Sequence, residues 1–276
     1  MGMEYHEIAP GVEIPKIGLG TWGMGGKQIE DRRWDEETIT AIRVAIDLGL
    51  THIDTAEYYG AGHCEELVGE AIQPCDRKSL FLTTKVCRTN LHHDDLLKSM
   101  KKSLQRLKQD YVDLYLIHWP NHQIPLKETM QALEKCVTEG YTKYIGVSNF
   151  SANLIQEAQL HLKDNYLVAN QIEYSLLDQK PRTDLLSYLQ ETNRTLIAYS
   201  PLGKGLLTKI DNKTLTEIAT KYDKTKTQTA LNWLISQENV VAIPKSRNPI
   251  HLMEFMDSTN WRLKLEDMME LTSSFQ

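Results

Sequence analysis

The stretch VDLYLIH, residues 112–118, is almost continuously apolar and ends on an imidazole. A strand with one wet face would alternate apolar and polar side chains, whereas an unbroken apolar run belongs to a parallel strand covered on both faces. The same signature recurs on both sides of it, in KIGLGT (16–21), THID (51–54), LFLTTK (80–85), YIGVS (144–148), LVANQ (167–171), TLIAYS (195–200) and VVAIPK (240–245). These runs start about 23 to 45 residues apart, the spacing of strand–loop–helix units. Eight such units predict an α/β fold, a (β/α)8 TIM barrel, for which about 250 residues is typical. A single domain over residues 1–276 is expected. Residues 5–15, with the turn residues Ala9, Pro10 and Gly11 between two short runs, are expected to form an N-terminal β-hairpin closing the barrel bottom.

Helical periodicity fills the gaps. Over 94–107, Leu97, Met100, Leu104 and Leu107 recur every three or four residues behind a potential cap, Asp94. Over 35–48, Ile39, Ile42 and Ile46 share a face, and Asp35, Glu36 and Glu37 suit the positive end of a helix dipole. Ser151 can cap a helix over 151–160, and the long gap before the last strand holds two helical pieces, roughly 212–222 and 227–237.

Composition narrows the function. The formal net charge is -6, against general nucleic-acid binding, which needs a basic surface. No apolar run approaches the 18 or so residues of a membrane span, and the N-terminus MGMEYHEIAPG shows neither the basic nor the apolar region of a signal peptide. The four cysteines, Cys64, Cys75, Cys87 and Cys136, lack CxxC spacing and read as reduced thiols of a cytoplasmic protein. His118 and His122 are separated by Pro120, which disfavours the helix that would align them, so no metal site is expected.

GLGTWG, residues 18–23, matches the glycine pattern of dinucleotide-binding loops. That pattern functions only where a helix opens at the glycines to hold a diphosphate. Here GMGGKQIEDRR follows before any helical signal, so the glycines are read as points of close backbone approach.

The chemistry lies at the strand ends, where barrel enzymes place their catalytic residues. Asp54, Lys85, His118, Ser148 with Asn149, Gln171, Ser200, and Lys245 with Ser246 each close an apolar run. A carboxylate, an ammonium, an imidazole and a nearby phenol, from Tyr58 or Tyr59, make a poor metal-ligand set. They make a plausible proton donor to a carbonyl. An ammonium close to a phenol favours the phenolate and should lower its pKa, and a carboxylate keeps the ammonium charged and fixed. The imidazole can orient the substrate oxygen.

This constellation resembles the aldo-keto reductase family over almost the whole chain, through GLGTW (18–22), HIDTAEYYG (52–60), TTK (83–85), IHWP (117–120), IGVSNF (145–150), NQIEY (170–174), AYSPLGKG (198–205) and IPKS (243–246). The resemblance implies NADPH-dependent reduction of an aldehyde or ketone, with Asp54, Tyr59, Lys85 and His118 as the catalytic tetrad. The family's tyrosine lies five residues after the aspartate, which selects Tyr59. It further implies an extended NADP across the barrel mouth. Gly20, Thr21, Trp22 and Asp54 would be among the residues that bind it. Tyr199 would stack on that ring, and Ser148, Asn149 and Gln171 would bind its carboxamide. Ser200, Leu202 and Gly203 would meet the diphosphate. Lys245, Ser246, Arg247, Asn248, His251 and Glu254 would surround the adenosine end. Trp22, His118 and Trp119 would bind the substrate in an open, shallow pocket.

One departure bears on the cofactor. Many family members carry an arginine where this chain has His251, and a largely neutral imidazole cannot form a bidentate clamp on a phosphate. A moderate preference for NADPH, with NAD tolerated, is expected. The resemblance also leans to a monomer. Two other readings use the same residues: a Schiff-base lyase on Lys85, which Asp54 disfavours by holding the amine protonated, and a non-enzymatic cofactor-sensing subunit.

Overall fold

A computed structural model describes residues 2–276. The chain opens with the antiparallel hairpin of β1 (Tyr5–Ala9) and β2 (Val12–Pro15). Eight parallel strands follow: β3 (Leu19–Gly20), β4 (His52–Asp54), β5 (Phe81–Val86), β6 (Val112–Ile117), β7 (Thr142–Ser148), β8 (Leu167–Glu173), β9 (Thr195–Tyr199) and β10 (Val240–Ala242). Each pairs with its neighbours in chain order. The sheet closes on itself where the amides of Gly18 and Gly20 donate to the carbonyls of Ala242 and Pro244 at 2.8 and 2.9 Å, and that of Ala242 donates to Lys16 at 2.9 Å. The result is the predicted (β/α)8 barrel with its hairpin.

Among the described residues ten helices surround it: α1 (Asp35–Asp47), α2 (His63–Ile72), α3 (His93–Leu107), α4 (Leu126–Thr138), α5 (Ala152–Gln159), α6 (Leu185–Glu191), α7 (Lys213–Lys221), α8 (Lys226–Ile235), α9 (Pro249–Met256) and α10 (Leu265–Ser273). Ser151 caps α5 as expected, its hydroxyl accepting from the Leu154 amide at 3.3 Å. Asp94 does not cap α3. That helix starts one residue earlier, and Glu128 of α4 accepts the His93 amide at 2.9 Å instead. The buried faces of α1 and α3 are turned slightly from the expected ones: Ala41 and Ala45 join Ile42 inside, and Leu96 is buried where Leu97 is only half-buried.

The core has two layers because strand side chains alternate. Tyr115 and Ile117 of β6 point outward under the helices, while Leu114 and Leu116 fill the barrel with Phe81, Ile197 and Val241. Ile8, Ala9 and Ile14 of the hairpin pack onto this inner cluster, plugging the end opposite the strands' C-termini. Among the described residues no helix is long and apolar enough to cross a membrane.

Candidate active site

The same alternation delivers polar groups to the barrel mouth. Along β5, Phe81, Thr83 and Lys85 share the inward face; along β4, His52 and Asp54 do. Phe81 belongs to the apolar plug and Thr83 hydrogen-bonds His52 at 3.2 Å, leaving Lys85 and Asp54 as the uppermost layer. Lys85 has no solvent exposure. Its ammonium donates to Asp54 Oδ1 at 2.7 Å, the Thr55 carbonyl at 2.9 Å and Tyr59 Oη at 3.0 Å, which uses all three of its N–H donors. The other Asp54 oxygen accepts from Gln171 Nε2 at 2.8 Å. An amine so enclosed does not present itself to a carbonyl carbon, which removes the structural basis for the Schiff-base reading.

Tyr59 reaches this layer from a short turn, Tyr59–Gly62, with left-handed backbone at Gly60, Ala61 and Gly62. At Gly60 a Cβ would stand 2.1 Å from the Gly25 carbonyl oxygen, so the turn can form only with glycine there. The tyrosine is 7% exposed, its ring stands 5.5 Å from that of His118, and the indole of Trp22 meets it edge-on at 4.8 Å. Tyr58 is 37% exposed and stacks on Trp22 at 6.1 Å, on the wall of the site.

Electrostatics here differ from the sequence-based expectation. The Tyr59 phenol is not pulled down by the ammonium. Burial pushes it well above its ordinary value, and the carboxylate of Asp54 and then the nearby Cys64 sulfur add to the effect. Burial likewise lowers Lys85, opposed by Asp54. His118 is lowered to about 3, first by burial and then by Lys85, so its imidazole is neutral across the working pH range. Physiological pH therefore finds a protonated phenol and an uncharged imidazole side by side.

Above them lies a cleft of about 1660 Å³. Gly20, Thr21, Trp22, Asp54, Tyr59, His118, Trp119, Ser148, Asn149, Gln171, Tyr199, Ser200, Leu202, Lys245, Arg247, His251 and Glu254 all line it. Four expected residues do not. Lys85 sits beneath the floor, and Gly203 packs against the side chain of Leu177. The Ser246 hydroxyl is 3.1 Å from His251 Nδ1 and accepts the Asn248 amide at 3.0 Å. Asn248 caps α9 through the Ile250 amide.

The middle of the cleft is rigidly organised. Asn149 holds φ 63° and Ser200 φ 50°, left-handed values that side-chain bonding makes tolerable at Asn149. Its amide donates to the His118 carbonyl and Ser148 Oγ, both at 3.0 Å, and accepts from Tyr199 Oη at 3.0 Å. The cleft is also basic in an acidic chain: Lys27, Arg88, Lys204, Lys209, Lys226, Lys245 and Arg247 line it, against the carboxylates Asp54 and Glu254. Arg247 Nη1 is buried with no hydrogen-bond partner among the described residues. A buried guanidinium nitrogen without a hydrogen-bond partner, on a half-buried arginine in a basic cleft, fits a phosphate-bearing ligand such as NADP. Sequence reasoning missed Lys27, Lys204 and Lys209, which lie in loops without periodicity, and the Thr55 carbonyl, which no side-chain pattern reveals.

The description "Aldo/keto reductase family" belongs to the family model that matches residues 16–275. The chain is similar over 99% of its length to all of a thermostable aldo-keto reductase, Tm1743, solved with the inhibitor epalrestat, with 47% identity and a TM-score of 0.95. It is similar to an aldo/keto reductase of Klebsiella pneumoniae solved with NADP and acetate, with 32% identity, TM-score 0.91, and 99% of this chain and 96% of that one covered. It is also 37% identical to the methylglyoxal reductase YeaE of Escherichia coli (strain K12), over 92% of this chain and 88% of the relative.

Proposed function

The chain belongs to the aldo/keto reductase family, and on that premise we propose that it is an NADPH-dependent oxidoreductase reducing aldehydes or ketones to alcohols, with Tyr59 as the proton donor. The observation that carries the reading is the buried ammonium of Lys85, held between the carboxylate of Asp54 and the phenol oxygen of Tyr59 at the floor of a basic cleft. NADPH supplies a hydride when bound; the residues supply everything that happens at oxygen. Because Lys85 donates to Tyr59 Oη, the phenol's own proton is free for the cleft. As negative charge grows on the substrate oxygen, the phenol releases that proton, and the new phenolate is stabilised by the ammonium 3.0 Å away. Neutral His118 gives one N–H to the same oxygen without competing as an acid. Asp54, fixed by Gln171, keeps Lys85 charged.

The residues that would hold NADPH are Ser148, Asn149 and Gln171 for the carboxamide, Tyr199 for the ring, Ser200 and Leu202 for the diphosphate, and Lys245 and Arg247 for the ribose phosphate. With His251 in place of an arginine, NADPH is preferred moderately and NADH tolerated. Exposed Trp22 and Trp119 wall the substrate end, which suits an aldehyde or ketone with an apolar or small body. The Escherichia coli relative's name makes methylglyoxal the first candidate. The protein is taken to act as a monomer in the cytoplasm, a reading with which four free thiols agree. The test is NADPH consumption with methylglyoxal and a panel of aldehydes and ketones. Turnover above background, with kcat/KM higher for NADPH than for NADH, is expected; no turnover on any carbonyl would defeat the reading.

A further inference from the structure

We propose, resting on the nucleotide-dependent reading above, that Lys27 is a further nucleotide-binding residue, a phosphate contact carried by a strap of residues 23–34 that is latched to the site at both ends. No regular structure occupies the chain between β3 and α1, from residue 21 to residue 34. Connections of that length inside a compact fold are uncommon and usually serve binding.

The near end of the strap is braced against the turn that carries Tyr59. The Gly60 amide donates to the Lys27 carbonyl at 2.8 Å. The strap then doubles back. The Asp31 amide donates to the Gly25 carbonyl at 3.0 Å, and Gly26 takes φ +100°, where a Cβ would stand 2.0 Å from the Ile29 carbonyl oxygen. Only glycine permits that fold-back. At the far end the Arg247 guanidinium lies over the ring of Trp34, 5.4 Å from its centroid. Between the anchors, residues 27–30 are exposed, Ile29 by 82%, so moving this part forfeits little buried surface.

Lys27 lines the cleft together with Lys245 and Arg247. Lys245 lines the cleft, and its ammonium is lowered, first by loss of water around its stem and head on partial burial, then by repulsion from Arg247 and Lys27. The three cations thus share one field with no ion pair to a carboxylate among the described residues, and Arg247 Nη1 is buried and unpartnered. Such a cluster is relieved by a ligand with several negative charges in a small volume, which a phosphate group supplies. Departure of a nucleotide held this way requires the Lys27 side chain to withdraw, and the Trp34 contact, by holding the far end of the strap and the Arg247 guanidinium in place, should slow it.

The experiment measures nucleotide binding directly, without turnover. NADPH and NADH are titrated by calorimetry into wild type, Lys27→Ala and Lys27→Arg, and NADPH release is timed by stopped-flow displacement from wild type and Trp34→Ala. Lys27→Ala should raise the NADPH Kd roughly tenfold, the worth of one charge-assisted hydrogen bond, and Lys27→Arg should restore most of it. Trp34→Ala should speed release about threefold, as loss of an exposed cation–π contact implies. Weakening of both nucleotides places Lys27 on the shared diphosphate, weakening of NADPH alone on the ribose phosphate; either supports the inference. NADPH binding by Lys27→Ala within a factor of two of a wild type that binds normally overturns it, as does unchanged release from Trp34→Ala. A wild type that binds neither nucleotide overturns the oxidoreductase reading itself.

Discussion

At the scale of single residues, the site is a buried charge pair with a phenol attached. Removing Lys85 alone strands the Asp54 carboxylate in a dry layer, so Lys85→Met should destabilise the fold by about 3–5 kcal/mol as well as abolish activity. The double variant Asp54→Asn/Lys85→Met should recover much of the stability and none of the activity; chemical denaturation beside a turnover assay separates the two effects. Asp54→Asn alone should be the milder catalytic lesion, because the ammonium stays. With the phenol raised and His118 lowered to about 3, neither group titrates between about pH 5 and 9, and kcat/KM should show no limb assignable to them there. At the other end, His251→Arg should raise the NADPH-to-NADH ratio of kcat/KM several-fold by adding a bidentate donor. Asp54, Lys85 and His118 were legible because each closes an apolar run, a local property. The rise of the phenol was not, because it depends on how completely Trp22 and the barrel enclose Tyr59, residues far apart in the chain.

At the scale of elements, strands and helices were unequally legible. All eight strands were found, since parallel strands covered on both faces carry continuous apolar runs. Periodicity also located α1, α3, α5, α7 and α8. It gave no stripe for α2, which is buried on nearly every side: Glu65 and His63 lie inside it beside Leu67 and Val68. The Glu65 carboxylate reads as a surface charge in sequence but is paired with Arg106 at 2.7 Å. α6 and α9, seven and eight residues long, each bury only two side chains and show no stripe, whereas the equally short α5 is marked by its cap Ser151. α4 carries a legible signal as well: Met130, Leu133 and Val137 repeat helically after Pro125. The hairpin was read from its turn residues, and its role as a plug supplies an element-scale test. Ile14 is wholly buried at the end of the barrel opposite the site. Ile14→Ala should cost about 2–5 kcal/mol in denaturant unfolding while leaving kcat within a factor of two.

At the scale of the molecule, we propose that barrel, hairpin and helices unfold as one domain, with a pH dependence set by buried imidazoles. His6 and His52 are lowered to about 4 and His118 to about 3, in each case chiefly by burial. All three take up protons on unfolding once the pH falls below about 6.5, the value of a free histidine. The unfolded state then binds more protons, so stability must fall with pH from about 6.5 toward 4. His63 acts in the opposite sense: burial opposes its proton, but Glu66 and Asp35 prevail and raise it. Glu65 acts in that opposite sense too, burial raising its carboxyl against the pull of Arg106, but the three lowered imidazoles should still leave a fall in Tm between pH 6.5 and 4.5, and His52→Gln, which cannot titrate, should flatten it. The proposed chemistry turns on which group hands a proton to the substrate oxygen, and single-turnover NADPH oxidation with methylglyoxal, or with the best carbonyl of the panel, reads that step most directly. Tyr59→Phe should bind NADPH as wild type does and slow the step about 10²–10⁴-fold, the worth of a positioned general acid, while Tyr58→Phe slows it little; a Tyr59→Phe enzyme that turns over normally, or a Tyr58→Phe enzyme that does not, would contradict the account.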